Sequence, residues 1–261
     1  MKYPLINIIW YSEKRRSILL LLKEGPRNFD KIKSSLNENS RSIMPHMKKL
    51  LKTNLIVLNA DTYYLSQIGE LVVENMEPLL NTIRVIEENK DFWVTRDMTA
   101  IPSYLLGRLG EIGHYLLIEP DLSCMFELPR ELKENILRSR QVSLFISYVH
   151  PQIPSLCSEL AQMEVSLSLF MTKQVFKKLK SEFPTEAKKI STCHNLEVFI
   201  CNEDINLPSL AVTKRFMYIC FLNIEGRYDH SDIISFDESA VSWGNELINH
   251  YKNQSERVYI S

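Results

Sequence analysis

The chain has 261 residues, of which 45% are hydrophobic and 24% charged, a composition that fits one or two globular domains with real cores. Its formal net charge of −1 hides an asymmetry: residues 1–66 carry 12 Lys/Arg against 5 Asp/Glu (net +7), and the remainder 19 against 27 (net −8), as in a nucleic-acid-binding head on an acidic body. No apolar run approaches the ~20 residues of a membrane span, and the apolar residues 5–11 run into Glu13-Lys14-Arg15-Arg16 without a cleavage site, so a cytoplasmic protein with no membrane partner is expected.

In chain order, residues 5–11 start a first helix or a strap over the core. Ser12 is placed to cap a helix over 13–23, with Ile18, Leu19, Leu21 and Leu22 inward and Lys14, Arg15 and Arg16 in water. Glu24-Gly25-Pro26 ends it. Asn28 caps a second helix over 29–36, with Phe29, Ile32 and Leu36 inward and Lys31 and Lys33 outward. A third helix over 42–54 buries Ile43, Met47, Leu50 and Leu51 and presents Arg41, Ser42, His46, Lys48, Lys49 and Lys52 on its other face. With Ser42 as N-cap, Pro45 falls in the first turn, where a missing N–H is harmless. A strand over 55–58 (LIVL), a turn over 59–62 and a returning strand over 63–65 follow. Three helices with short links and a two-stranded wing make a winged helix-turn-helix.

Ser66 caps a long helix from about 67 to 89, in which Ile68, Leu71, Val72, Met76, Leu79, Leu80, Ile83 and Ile86 repeat at three and four and Pro78 predicts a kink. The stripe suits a dimer contact or, equally, a linker lying on its own C-terminal domain. From Asp91 the character changes. Helices are expected over 103–116 and 129–138. Strands over 142–149, 165–171 and 196–201 then alternate with helices over 154–163, 173–183 (capped by Thr172) and 186–191, the rhythm of a partly parallel α/β layer. A hairpin over 210–223 turns at Lys214-Arg215, a short strand covers 233–236, and Asp237 caps a last helix over 238–252. The expected organisation is thus a two-domain α/β protein: a winged helix over 1–66, a linker or dimerisation helix over 67–90, and an α/β regulatory domain over 91–261.

The recognition helix names the candidate contacts to double-stranded DNA. Arg41, Ser42, His46 and Lys49 suit base edges or phosphates, and Lys48 and Lys52 suit phosphates. Asn59 and Thr62 at the wing tip, and Ser40 and Lys33 beside the helix, suit the minor groove or backbone, while Asp61 is unfavourable beside phosphate. A solvated lysine face accounts for the same lysines. Candidate effector residues are Lys214, Arg215, Arg227, Tyr228, Asp229 and His230, with Trp93 and Trp243 as apolar walls; a small molecule or an anion is the expected class of effector. The aromatic residues are also ordinary core residues, and Lys214-Arg215 an ordinary polar turn. Five cysteines at 124, 157, 193, 201 and 220, without C-x-x-C, read as reduced and mostly core. Cys193-His194 is no zinc site by itself, and no metal or cofactor is expected.

Two stretches resemble a known family. One is the wing ending Tyr63-Tyr64-Leu65-Ser66-Gln67-Ile68-Gly69, close to the Y-x-L-T-x-x-G of archaeal winged-helix regulators. The other is Gly226-Arg227-Tyr228-Asp229, Ile233-Ile234-Ser235 and the run AVSWGNELINHY over 240–251, with Phe92-Trp93 and Ile101-Pro102 upstream. Together these resemble the methanogenesis-regulator (Fil-type) transcription factors of archaea over nearly the whole chain. The resemblance implies an ArsR-like winged helix joined to an α/β regulatory domain, DNA-binding transcriptional regulation, and a homodimer. The second domain's order of elements is also similar to half of a phospholipase D-like fold. The H-x-K-x-x-x-x-D of those enzymes is not matched: His46-Met47-Lys48 and His250-Tyr251-Lys252 are followed at the Asp position by Thr53 and Arg257. His150 precedes a proline, and G-x-S-x-G, P-loop and GxGxxG patterns are missing, so a non-enzyme is expected. A divergent phosphodiesterase without the usual motif and a protein-interaction adaptor are the alternatives.

Overall fold

The structure is a computed structural model that describes residues 4–119, 127–191, 194–202 and 205–258. Cys124 and Cys193, and the loop expected at 119–121 beyond Glu119, lie outside the described residues. By internal contacts the chain divides into two units, Met1–Leu80 and Asn81–Ser261. The division falls inside one helix, between the limits at 66 and 90 read from sequence.

The first unit begins with α1 (Leu5–Trp10) and α2 (Glu13–Lys23). The Ser12 hydroxyl accepts from the Arg15 amide and starts α2 as expected. Arg15 departs from expectation: it is buried, and its Nε donates to the Ile8 carbonyl, while Arg16 donates to the carbonyls of Ile9 (3.3 Å) and Trp10 (2.6 Å). Two of the three cations read as solvated therefore satisfy the open carbonyl end of α1. A two-residue strand, β1 (Arg27–Asn28), precedes α3 (Phe29–Ser35), which Asn28 caps through the Lys31 amide at 2.9 Å. Then come α4 (Ser40–Lys52), β2 (Ile56–Asn59), β3 (Thr62–Leu65) and α5 (Gln67–Glu88). β1, absent from the sequence reading, adds to β3 and makes the wing a three-stranded sheet in the order β1-β3-β2. Ile18, Leu19, Ile32, Ile43, Met47, Leu50, Leu55 and Val73 form the unit's core.

Tyr63 packs into that core. Ser66 caps α5 by accepting from the Gly69 amide (2.9 Å) and donates to the Asn54 carbonyl (2.5 Å). A Cβ at Gly69 would sit 2.0 Å from the Leu55 carbonyl oxygen, so only glycine lets the helix pass this close to the strand.

The second unit opens on α6 (Lys90–Trp93) and α7 (Ser103–Leu106). The helix expected over 103–116 is cut short: a 3₁₀ turn spans Leu109–Ile112, Gly113 takes φ +62°, and β4 (Tyr115–Ile118) leaves as a strand. The rest follows the expected alternation: α8 (Arg130–Leu137), β5 (Gln141–Ile146), α9 (Ile153–Gln162), β6 (Ser166–Thr172), α10 (Lys173–Glu182), α11 (Pro184–Ser191), β7 (Leu196–Cys201), β8 (Ser209–Thr213), β9 (Met217–Cys220), β10 (Asp232–Ser235) and α12 (Glu238–Asn253), after which comes a strand not expected from the sequence, β11 (Ser255–Val258). Asp237 precedes α12 but makes no capping bond to it; its Oδ2 accepts from the His114 amide at 2.8 Å.

One eight-stranded sheet runs β11-β7-β6-β5-β8-β9-β10-β4. Only β5–β6 and β6–β7 pair in parallel, because those links pass through α9 and through α10–α11; the other pairs are antiparallel. Alternation along each strand feeds two cores. On one face Phe145, Phe170, Phe199, Ile219 and Ile233 pack with Phe92, Trp93 and Trp243; on the other Leu144, Ile146, Leu169, Val198 and Ile234 pack with Leu132, Leu160 and Leu179. Among the described residues, no helix is long and apolar enough to cross a membrane.

Candidate nucleic-acid interface

The Asn39 side chain caps α4 by accepting from the Ser42 amide at 2.9 Å. The helix therefore starts two residues before Ser42, which sits inside the first turn rather than at the cap. Pro45 moves with it into the helix interior, where its ring nitrogen leaves the Arg41 carbonyl without the usual i+4 donor.

At about 100° per residue the helix sorts its side chains. Ile43, Met47 and Leu50 point into the core. Arg41, Pro45, Lys48 and Lys52 recur at i, i+4, i+7 and i+11 on the opposite side, and all four are exposed. Ser42, His46 and Lys49 occupy the flank, each half-buried. Lys14 on α2 donates to the Ser42 hydroxyl and pairs with Glu38 at 2.7 Å, and Ser12 lies 3.3 Å from His46 Nδ1. Burial first, then the Arg15 and Lys14 charges, pull the His46 pKa below its ordinary value, which favours the neutral ring. The Lys14 hydrogen bond and then that of Ser42 pull the Glu38 carboxyl down. Of the sequence-named helix residues, then, Arg41, Lys48 and Lys52 share one open face, whereas Ser42 and His46 tie α4 to the start of α2. Ser40 is exposed at the head of the helix.

At the wing tip Asn59 pairs with Thr62, and Ala60 and Asp61 turn the chain with φ +43° and +67°. Positive φ at both central positions is the type I′ geometry that matches strand twist. Asn59 is exposed and Thr62 half-buried.

The residues named from sequence for an effector do not form one site. Trp93 and Trp243 are buried in the aromatic core, their Nε1 groups donating to Tyr115 Oη (2.7 Å) and the Leu105 carbonyl (3.0 Å). Asp229 is held by Arg96 through two bonds of 2.7 and 2.5 Å, and Arg227 pairs with Glu225 at 3.2 Å on the surface. Lys214 and Arg215 line a separate pocket of about 520 Å³ with Arg138 and Arg140. Tyr228 and His230 do line a large cavity. Its other polar residues, Asp232 above all, went unread because isolated residues at strand ends carry no periodic signal.

Fold and site define a winged-helix protein whose helix α4 carries an open cationic face, joined to a second, mixed α/β unit. Family models for the methanogenesis regulatory protein FilR1 match its N-terminal domain over residues 5–84 and its middle domain over 125–254. The chain belongs to this family of Fil-type archaeal regulators. It is 23% identical over 258 residues to the methanogenesis regulatory protein FilR1 of Methanothrix harundinacea (strain 6Ac), a match that takes in 97% of this chain and 58% of that protein's length. Among solved structures, TrmBL2, described as an archaeal chromatin protein with a novel mode of DNA binding, aligns with 97% of both chains at 13% identity and a TM-score of 0.42. Phosphatidylserine synthase of Haemophilus influenzae Rd KW20 aligns over 56% of this chain and 39% of that one at 8% identity and a TM-score of 0.40.

Proposed function

We propose that the chain is a DNA-binding transcriptional regulator that works as a homodimer. α4 reads a duplex operator in the major groove, and the second unit takes an input. The carrying observation is the open face of α4: Arg41, Lys48 and Lys52 stand opposite a fully buried apolar face, so the cations are presented by a rigidly anchored helix. Arg41, nearest the helix N-terminus, reaches base edges; Lys48 and Lys52 hold phosphates; Ser40, Asn59 and Thr62 contact the backbone beside them; Ser42, His46 and Lys49 set the helix angle against α2. Ile68, Leu71 and Leu79, exposed on one face of α5, support the dimer. The strand–helix order supports kinship of the second unit with half of a phospholipase D-like fold, read as non-catalytic. Both H-x-K triplets lie within helices, α4 and α12.

Duplex binding by the full chain across salt is the test. A dimer with about six phosphate contacts should lose ~10³-fold in affinity between 50 and 200 mM salt. Arg41→Ala should weaken the preferred site, selected from random duplexes, by about 1–3 kcal/mol and relax one position in each half-site. Binding that ignores salt, or an Arg41→Ala protein with unchanged site preference, would count against the reading, and so would selected sites without two-fold symmetry against the dimer.

A further inference from the structure

The cavity in the second unit has a built floor. In register across five strands, Ile146 (β5), Ser209 (β8), Cys220 (β9), Asp232 (β10) and Ile118 (β4) are direct cross-strand partners and so point to one face of the sheet. All five line a cavity of about 760 Å³, roofed in part by the first turns of α8, a volume in the range that takes a small organic ligand. Tyr148, Tyr228, His150 and His230 add aromatic walls.

Asp232 in that floor is fully buried. Its two oxygens are treated differently. Oδ2 accepts from Tyr218 Oη at 2.5 Å and from Tyr228 Oη at 2.7 Å. Oδ1, equally buried, has no hydrogen-bond partner among the described residues. A buried carboxylate oxygen without a donor is expensive, and a buried carboxylate without a countercharge more so. Burial pushes the Asp232 pKa up, and the hydrogen bonds from Tyr218, Tyr228 and the Cys220 thiol, then the neighbouring His230, oppose that rise. The phenols stabilise one oxygen; the other is closed to water in a side chain that lines the cavity. The rest of the lining leans to the same sign: with Arg130 and Glu134 paired at 2.6 Å, Glu119, Glu127 and Glu131 stand against Lys133.

The geometry points to a binding site for a small organic cation: an amine with N–H donors on an apolar or aromatic body. Its ammonium donates to Asp232 Oδ1 and its body lies against Tyr148, Tyr228 and Ile146. The donor completes the carboxylate, the charge offsets its burial, and the aromatic faces favour a cation over a neutral isostere. This names the ligand class for the input unit of the proposed regulator, but binding itself does not depend on that reading.

The test uses the full chain and four probes of one shape, followed by calorimetry: phenethylamine, its N-trimethyl derivative, 2-phenylethanol and phenylacetate. Phenethylamine is expected to bind at least about ten-fold more tightly than each of the others, since the trimethyl form keeps the charge but loses the donor. Asp232→Asn should abolish the preference for the amine while melting as a folded protein. Because the trimethyl comparison is made on the native chain, it stands even if Asp232→Asn fails to fold. Equal binding of the four probes, preference for the alcohol or the acid, or no saturable amine binding at millimolar concentration would each overturn the site. Duplex affinity measured with and without phenethylamine separates the two ideas. An amine that binds without moving DNA affinity leaves the site standing and removes its regulatory use; a chain that fails to bind duplex but keeps the amine preference sinks only the regulator.

Discussion

The two units handle polar atoms in opposite ways. Among the described residues of the first unit, Arg15 is the sole buried polar or charged side chain, and Arg41, Lys48 and Lys52 of α4 stand in water over a mainly aliphatic core. The second unit buries Arg96, His150, Ser209, Asp232 and Ser235 among others. Most are satisfied: Ser235 donates to the carbonyls of Ile112 and His114 at 2.9 and 2.7 Å, and Arg96 is closed by Asp229. A surface proposed to read a polyanion needs charge where water already solvates it, so nothing inside has to change. A polar interior must be matched atom by atom, and the one buried side-chain oxygen without a partner among the described residues, at Asp232, therefore stands out as chemistry rather than as packing.

The largest effect that sharpens this contrast lies in the aromatic core. Trp243 is fully buried and its Nε1 donates to the Leu105 carbonyl. Trp243→Ala should lower the unfolding free energy of the second unit by about 3–5 kcal/mol, read by urea denaturation with amide exchange resolving the strands of the eight-stranded sheet. Duplex affinity at low denaturant should hold, since no residue of the proposed interface belongs to this unit; a parallel loss would erase the distinction between the units.

Next in size is the Arg96–Asp229 pair. The Arg96 guanidinium is the main cause that holds the Asp229 carboxyl below its usual range, with a Ser231 amide assisting. Because the folded-state pKa is the depressed one, the stability it contributes is present above the unfolded value near 3.9 and is lost as pH falls through the lower folded value. Asp229→Asn should remove that acid dependence and cost about 2–3 kcal/mol at neutral pH, less than for a fully enclosed pair because the carboxylate is 35% exposed. An acid limb of the melting profile identical in the two proteins would reassign it to other carboxylates.

This contrast also decides what could be read from residue order. Periodic burial is legible: Ile43, Met47 and Leu50 mark α4, and LEVFIC marks β7 to the residue. Asn39 and Ser42 are equally good caps by residue type, and only the fold shows which amide each reaches. The strand β1 has two residues and no period at all, and β4 was hidden in an apolar stretch whose break rests on Gly113. The open face of α4 was visible because its charges stand at helical spacing. The cavity was not, because its floor is assembled from single residues of five strands, and Asp232 meets Tyr218 across 14 positions.

The smallest expected change tests whether the first unit rests on local devices. Ala60 and Asp61 both hold positive φ between the paired Asn59 and Thr62, a conformation in which a Cβ costs roughly 1–2 kcal/mol per residue. Glycine escapes that strain but gives back part of the gain through a freer unfolded chain. Ala60→Gly should therefore tighten the wing by about 0.5–1 kcal/mol, which amide exchange reports as roughly two- to five-fold slower opening along β2 and β3. Exchange in the second unit should not move, because no contact of residue 60 is altered beyond the turn. If protection of the wing amides stays level while duplex affinity drops, the methyl of Ala60 touches DNA, and the wing tip contributes contact rather than shape.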